Sequence, residues 1–184
     1  MRIGKGALNA NCKIEHGLLQ KEYVDWKYSI LRPFVYTEPK ISYRYTDDKE
    51  KYSKSWWFRT IRHPEITDIY REFYTGDEYR TGRKIIPLKI GEYFNALVLA
   101  VWIMDDGSYN KKRTDISTYS FSLGEIELLS KCLDEKFGVT MKWYRDRDIG
   151  YRMYCSKCNT ERLVSIIEPY IIPSMRYKIG FVTP

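Results

Sequence analysis

Residues Ala96 to Met104 are nine consecutive apolar residues, and Asp105, Asp106 and Gly107 follow them without a break. Crossing a bilayer takes about 20 apolar residues, so the run belongs to a protein interior and not to a membrane. A helix that is apolar on every side must be buried all round, between other elements or against a second helix. Its C-terminal end carries the negative pole of the helix dipole. Two carboxylates placed there cost stability unless a cation offsets them. A buried helix delivering acids to the middle of a protein fits a metal site. An ordinary core helix stopped by an Asp-Gly turn fits the same letters.

The rest of the composition narrows the partner. The chain has 184 residues, enough for one domain or for two small halves sharing a core. A net charge of +7, with 17 tyrosines and 5 tryptophans, points to a polyanion met by large half-exposed aromatic surfaces. Cys12, Cys132, Cys155 and Cys158 are too few for a disulfide framework at this length. Cys155 and Cys158 have neither a second pair nor a nearby histidine, which argues against zinc. Met1 to Asn11 lacks the apolar segment of a secretion signal, so the expected setting is intracellular: cytoplasm, nucleoid or an organelle matrix.

Along the chain, Asn9 to Glu15 reads as a strand and Leu18 to Leu31 as a helix ended by Pro33. Ile41 to Tyr45 and Lys54 to Arg62 read as a hairpin turning at Asp47 to Lys51. The parity of Ser55-Trp56-Trp57-Phe58-Arg59 leaves its inner face open, because both parities carry large apolar groups. Pro64 opens a helix running to Gly76, and the basic stretch Arg80 to Lys84 leads to Ile85-Ile86-Pro87. After the apolar run come a strand at Lys111 to Phe121 and a helix that starts on the capping-box spacing Ser122 to Glu125 and ends at Gly138. Val139 to Arg145 and Tyr151 to Cys155 alternate as a second hairpin, and a last helix from near Asn159 breaks at Pro169.

This order repeats. Strand, helix, hairpin, helix and a Lys-Ile segment occur over residues 1–90 and again over 91–184, but only the second round opens with the apolar helix. Antiparallel strands with one apolar and one basic-aromatic face make a ribbon that fits the major groove of DNA. Lys142, Tyr144, Arg152 and Tyr154 share one face of the second hairpin, and Arg44 lies on the polar face of the first. Phosphodiester cleavage needs a cation held by carboxylate, with lysine to orient water or offset charge. Asp106 and Lys178 supply those groups if the fold joins them.

Here the chain resembles a known family. Leu97 to Gly107, ending Trp102-Ile103-Met104-Asp105-Asp106-Gly107, is similar to the motif helix of LAGLIDADG homing endonucleases. Tyr119-Ser120-Phe121-Ser122, Pro169-Tyr170-Ile171-Ile172-Pro173 and Tyr177-Lys178 match the downstream pattern of the single-chain, two-repeat branch. The resemblance implies an α+β fold of two pseudo-twofold αββαββα repeats whose antiparallel sheets form a saddle on duplex DNA. It implies an intron-encoded, mobile-element nuclease that hydrolyses a long DNA target with Mg²⁺ or Mn²⁺. Asp106, directly before the glycine, matches the metal-binding aspartate; Lys178 and Lys84 match the basic residue of each active site. Arg44, Arg113, Lys142, Tyr144, Arg145, Arg147, Arg152 and Tyr154 are the expected DNA contacts. No membrane partner is expected.

The chain also departs from the pattern. Met1-Arg2-Ile3-Gly4-Lys5-Gly6 resembles the strand that follows a first motif helix, so that helix and its acid are expected to be missing. Leu97 to Trp102 then lose the surface they pack on, leaving an apolar seam that should bind something. An upstream segment, a second copy, or a protein that has lost cleavage and kept binding would each account for it. The competing function is a catalytically silent nucleic-acid binder such as an intron RNA maturase or splicing cofactor.

Overall fold

The computed structural model describes residues 1–4, 6–45, 52–75 and 82–181, and the chain divides into two compact units, Met1–Gly82 and Arg83–Pro184. The expected turn at Asp47 to Lys51, Gly76, and the beginning of the basic stretch at Arg80 lie outside the described residues.

In the first unit, the strand pair Arg2–Ile3 and Ala10–Asn11 precedes strand β1 (Lys13–Gly17) and helix α1 (Lys21–Ile30). Strands β2 (Lys40–Tyr45) and β3 (Tyr52–Arg59) follow, then α2 (Pro64–Phe73) with proline in its first turn. The sheet is antiparallel, in the order β1-β3-β2. Its inner face is now assigned. Phe58 is buried with Val24 and Val35, against Ile14, Tyr28, Leu31 and Trp56. Trp57 therefore points to the other face, with Ser55 and Arg59. A second cluster of Ile3, Ala10, Ile66 and Tyr70 holds α2 to the N-terminal strands.

The second unit begins with the two-residue strand Arg83–Lys84 and a helical turn at Ile90–Tyr93, followed by helix α3 (Ala96–Asp106) and strands β4 (Gly107–Asn110) and β5 (Arg113–Ser117). Helix α4 (Leu123–Phe137), strands β6 (Met141–Asp146) and β7 (Gly150–Cys155), and helix α5 (Lys157–Ile167) complete it, before a 3₁₀ segment at Pro173–Ile179. The antiparallel sheet runs β6-β7-β5-β4. Its inner face buries Ile116, Met141, Met153 and Cys155 under the helices.

Strand β4 was not foreseen, and the expected strand from Lys111 starts two residues later. Lys111 and Lys112 form the hairpin turn, at φ 49° and 66°, with Asn110 paired to Arg113. Such left-handed pairs usually announce themselves as Asn-Gly, so two lysines carry no turn signal.

Helix α3 is not buried all round. Leu99, Ala100, Ile103 and Met104 are buried, packing on α5 and the C-terminal 3₁₀ segment. Leu97 and Val98 are each 39% exposed, and with half-buried Val101 and Trp102 they form the seam on the opposite face. The Asn95 side chain starts the helix by accepting from the Val98 amide at 2.9 Å. Before it, Lys136 donates to the carbonyls of Gly91 and Phe94, tying the approach to the end of α4.

The start of α4 is tied down by Glu125. Its carboxylate accepts from Ser122 N and Oγ, both at 2.7 Å, from Ile86 N at 3.1 Å, and from both terminal nitrogens of Arg83. Burial raises its pKa, but those hydrogen bonds outweigh it and bring the value down to about 2. A carboxylate with a depressed pKa adds stability above its unfolded value of 4.5 and loses it as pH falls through about 2. Glu125→Gln should therefore lose roughly 2 kcal/mol at neutral pH. In urea titrations its stability should also fall less steeply than the parent's between pH 4.5 and 2. Relieving the left-handed lysines by Lys111→Asn with Lys112→Gly should raise stability by about 1 kcal/mol in the same assay.

Candidate active site and basic sheet faces

The end of α3 is built to turn sharply. Gly107 caps it by donating to the Ile103 carbonyl, with extended backbone at φ −77° and ψ 153°. A β-carbon at Gly107 would stand 2.5 Å from the Ile103 oxygen, so only glycine lets β4 leave so close to the helix. Asp105 and Asp106 are exposed at this end. Lys178, on the 3₁₀ segment, donates to the Gly107 carbonyl at 2.7 Å. That is the cation the helix end calls for: a positive charge at the negative pole, next to two acids. Burial lowers the pKa of the Lys178 ammonium, while Asp105 and Asp106 pull it back up. Gly180, at φ 89°, lets the segment pass over Tyr109, whose ring would lie 2.4 Å from any added β-carbon. Lys84 is exposed on the two-residue strand Arg83–Lys84, next to the Arg83 that grips Glu125.

The outward face of the second sheet brings most of the expected basic and aromatic residues together. Strand register sets Arg113 and Asp115 on β5 beside Arg152 and Tyr154 on β7, with Lys142 and Tyr144 beyond on β6. Arg113 donates Nε and one Nη2 hydrogen to the two oxygens of Asp115, at 2.9 and 2.6 Å. Its guanidinium lies 4.1 Å from the Tyr154 ring centroid and 5.5 Å from that of Tyr144. Arg152 donates to Ser108 Oγ at 2.9 Å and to Tyr119 Oη at 3.4 Å, and pairs with Asp115 at 3.7 Å. Tyr119 in turn donates to Asp146, which raises its phenol pKa. An open hollow of about 430 Å³ lies here, lined by Ser108, Asn110, Lys111, Arg113, Asp115, Tyr144 and Arg152.

Two expected residues stand apart. Arg145 pairs with Tyr151 and shares the parity of Met141 and Trp143, which is the helix side of the sheet. Arg147 sits in the β6–β7 turn at φ 51°.

The first unit carries the same arrangement by register. Glu15 and Lys40 both pair with Trp57, as Asp115 and Lys142 both pair with Tyr154. Lys13 bonds Glu15 and lies 4.7 Å over Trp57, with Lys40 at 4.9 Å and Arg59 at 5.6 Å. Arg44 reaches the same Glu15 at 3.1 Å, and Ser55 donates to it. Burial raises the pKa of Glu15, but the Lys13 and Ser55 hydrogen bonds and the charges of Lys13 and Arg44 leave it lowered. Glu15, Lys13, Lys40, Trp57 and Asp115 were not singled out from the sequence. The available signal was a cation and an acid two apart on a strand, Lys13-Ile14-Glu15 and Arg113-Thr114-Asp115.

Among the described residues, no helix is long and apolar enough to cross a membrane. The chain is 32% identical over 143 residues to a cytochrome b mRNA maturase of Debaryomyces hansenii, covering 77% of this chain and 52% of that protein. It thus spans about half the length of that relative. An intron-encoded endonuclease of Dictyostelium discoideum is 34% identical over 76% of this chain and 86% of its own length. The DNA endonuclease I-ChuI of Chlamydomonas applanata is 30% identical over 91% of this chain and 80% of its own. The fold matches that of the homing endonuclease I-WcaI, solved bound to its DNA recognition sequence, with a TM-score of 0.86 and 23% identity. That match covers 98% of this chain and 80% of the other. The profile of the LAGLIDADG DNA endonuclease family matches residues 1–163, and the chain belongs to that family.

Proposed function

We propose that this chain is a sequence-specific endonuclease that hydrolyses duplex DNA, with the C-terminal end of α3 as its reaction centre. The observation that carries this reading is Lys178 lodged on the Gly107 carbonyl beside Asp105 and Asp106. Two exposed carboxylates are hard oxygen donors of the kind Mg²⁺ and Mn²⁺ prefer. Among the described residues no group of three or more His, Cys, Asp or Glu side chains could hold a metal. Mg²⁺ is commonly held by one or two carboxylates with waters and substrate phosphates, so the donor set fits. When bound, such a cation stabilises charge on the scissile phosphate and acidifies a water.

In this reading Asp106 holds the cation, and Lys178 offsets the charge that builds on the phosphate. Lys84 is assigned the matching role for the first repeat. Arg113, Lys142, Tyr144, Arg152 and Tyr154 form the DNA-facing surface of the second unit, with Arg147 at its rim and Arg44 on the first. Arg145 drops out because its strand parity turns it away from that surface. The intron-encoded relative supports an origin in a mobile element, inside the cell or an organelle. The exposed seam of α3 is assigned to a second copy or to an upstream segment.

The maturase relative favours a second reading, a binder of intron RNA without cleavage. One variant separates the two. Asp106→Asn should reduce Mg²⁺-dependent cleavage of duplex DNA at least about 100-fold and leave duplex affinity within about threefold. A parent chain that binds intron RNA and never cuts DNA would replace the first reading with the second. Lys178→Met should cost about 100-fold in cleavage as well. It should also remove a basic limb of the pH–rate profile that lies below the ordinary lysine value of 10.5. Light scattering bears on the seam: a dimer is expected to cut both strands and a monomer to nick one.

A further inference from the structure

We infer that Arg113 is a guanine-reading residue, and that Asp115 is the positioning residue that makes it read a base instead of gripping a phosphate. The inference rests on the DNA-binding reading above and assigns a specificity element within that surface.

Three restraints act on one guanidinium. Asp115 takes the Nε edge through two hydrogen bonds. Tyr154 and Tyr144 lie against the group at 4.1 and 5.5 Å. Asp115 is itself fixed, with its side chain 11% exposed and Arg152 3.7 Å away. What Arg113 still offers is the outer edge, Nη1 and the second Nη2 hydrogen, on a side chain that is 42% exposed. Two parallel donors on a rigid plane match the O6 and N7 acceptors of guanine in the major groove. The charge argues the same way. A phosphate is held by net positive charge, and Asp115, shared between Arg113 and Arg152, cancels one of their two charges and weakens that pull. A base edge is neutral and depends less on it. Restraining the side chain before contact also removes most of the ordering cost that a free arginine pays on binding.

The test uses the whole chain and a pool of duplexes of randomised sequence. The parent should select guanine at a position that Arg113→Ala no longer selects, with discrimination there falling about 10- to 100-fold. In the charge-balanced double variant Arg113→Ala with Asp115→Asn, the dependence of affinity on salt should stay unchanged while that discrimination is lost. Arg113→Lys keeps the charge and stem but lacks the planar edge, so it should lose the same discrimination with the fold intact. Asp115→Asn gives the opposite signature. It frees a positive charge, so affinity for all sequences should rise and the salt slope should steepen by up to about 1, while discrimination falls. Uniform weakening by Arg113→Ala that leaves guanine selection intact at every position would make Arg113 a phosphate contact and overturn the proposal. So would weaker binding of Asp115→Asn to every sequence alike. A parent that retains no duplex at all would overturn the DNA-binding reading itself, which is a separate and earlier outcome.

Discussion

The bond from the Lys178 ammonium to the Gly107 carbonyl is the contact on which the rest of the candidate site depends. Helix α3 ends in two carboxylates where its own dipole is already negative, an arrangement that costs some stability by itself. A half-buried cation at the same point reverses the local balance. Burial of the Lys178 ammonium lowers its pKa, and the charges of Asp105 and Asp106 offset part of that effect. The glycine between helix and strand is the geometric side of the same arrangement, since any β-carbon there would strike Ile103.

A related economy governs the outward faces of the sheets. Each carries an acid amid its cations, Glu15 in one unit and Asp115 in the other. An acid on a basic surface weakens non-specific attraction to a polyanion. In exchange it fixes the direction of the neighbouring side chains, as do the rings of Trp57, Tyr144 and Tyr154. The two units use different chemistry at matching positions. Lys13 is a point charge on a flexible stem, and Arg113 is a planar fork.

Much of this was legible. An unbroken apolar run ending in Asp-Asp-Gly marks α3, the Ser122–Glu125 spacing marks the start of α4, and alternation puts Lys142, Tyr144, Arg152 and Tyr154 on one face. The same parity sets Arg145 with Met141 and Trp143, on the side opposite Lys142 and Tyr144, a consequence that reading by charge overlooks. Other features lie beyond pattern. Trp56, Trp57 and Phe58 satisfy either parity, and only packing against Val24 and Val35 decides between them. Strand β4 is four residues long and turns on two lysines, so neither alternation nor turn chemistry reveals it. The half-exposed burial of α3 does not follow from its hydrophobicity, since such a run reports what a helix can bury and not what is there to bury it; the seam at Leu97 to Trp102 is expected from the family resemblance alone.

The distance along the chain between the two ends of the Lys178–Gly107 bond has a kinetic meaning. Those residues are 71 positions apart, and the sheet and helices α4 and α5 lie between them. Local elements form before long loops close, because closure costs chain entropy that only later contacts repay. A chain synthesised as far as α3 carries Asp105 and Asp106 without Lys178. The lysine at this end of the helix is made 71 residues after Gly107, so a partly synthesised chain carries the acids without the cation that pairs with them.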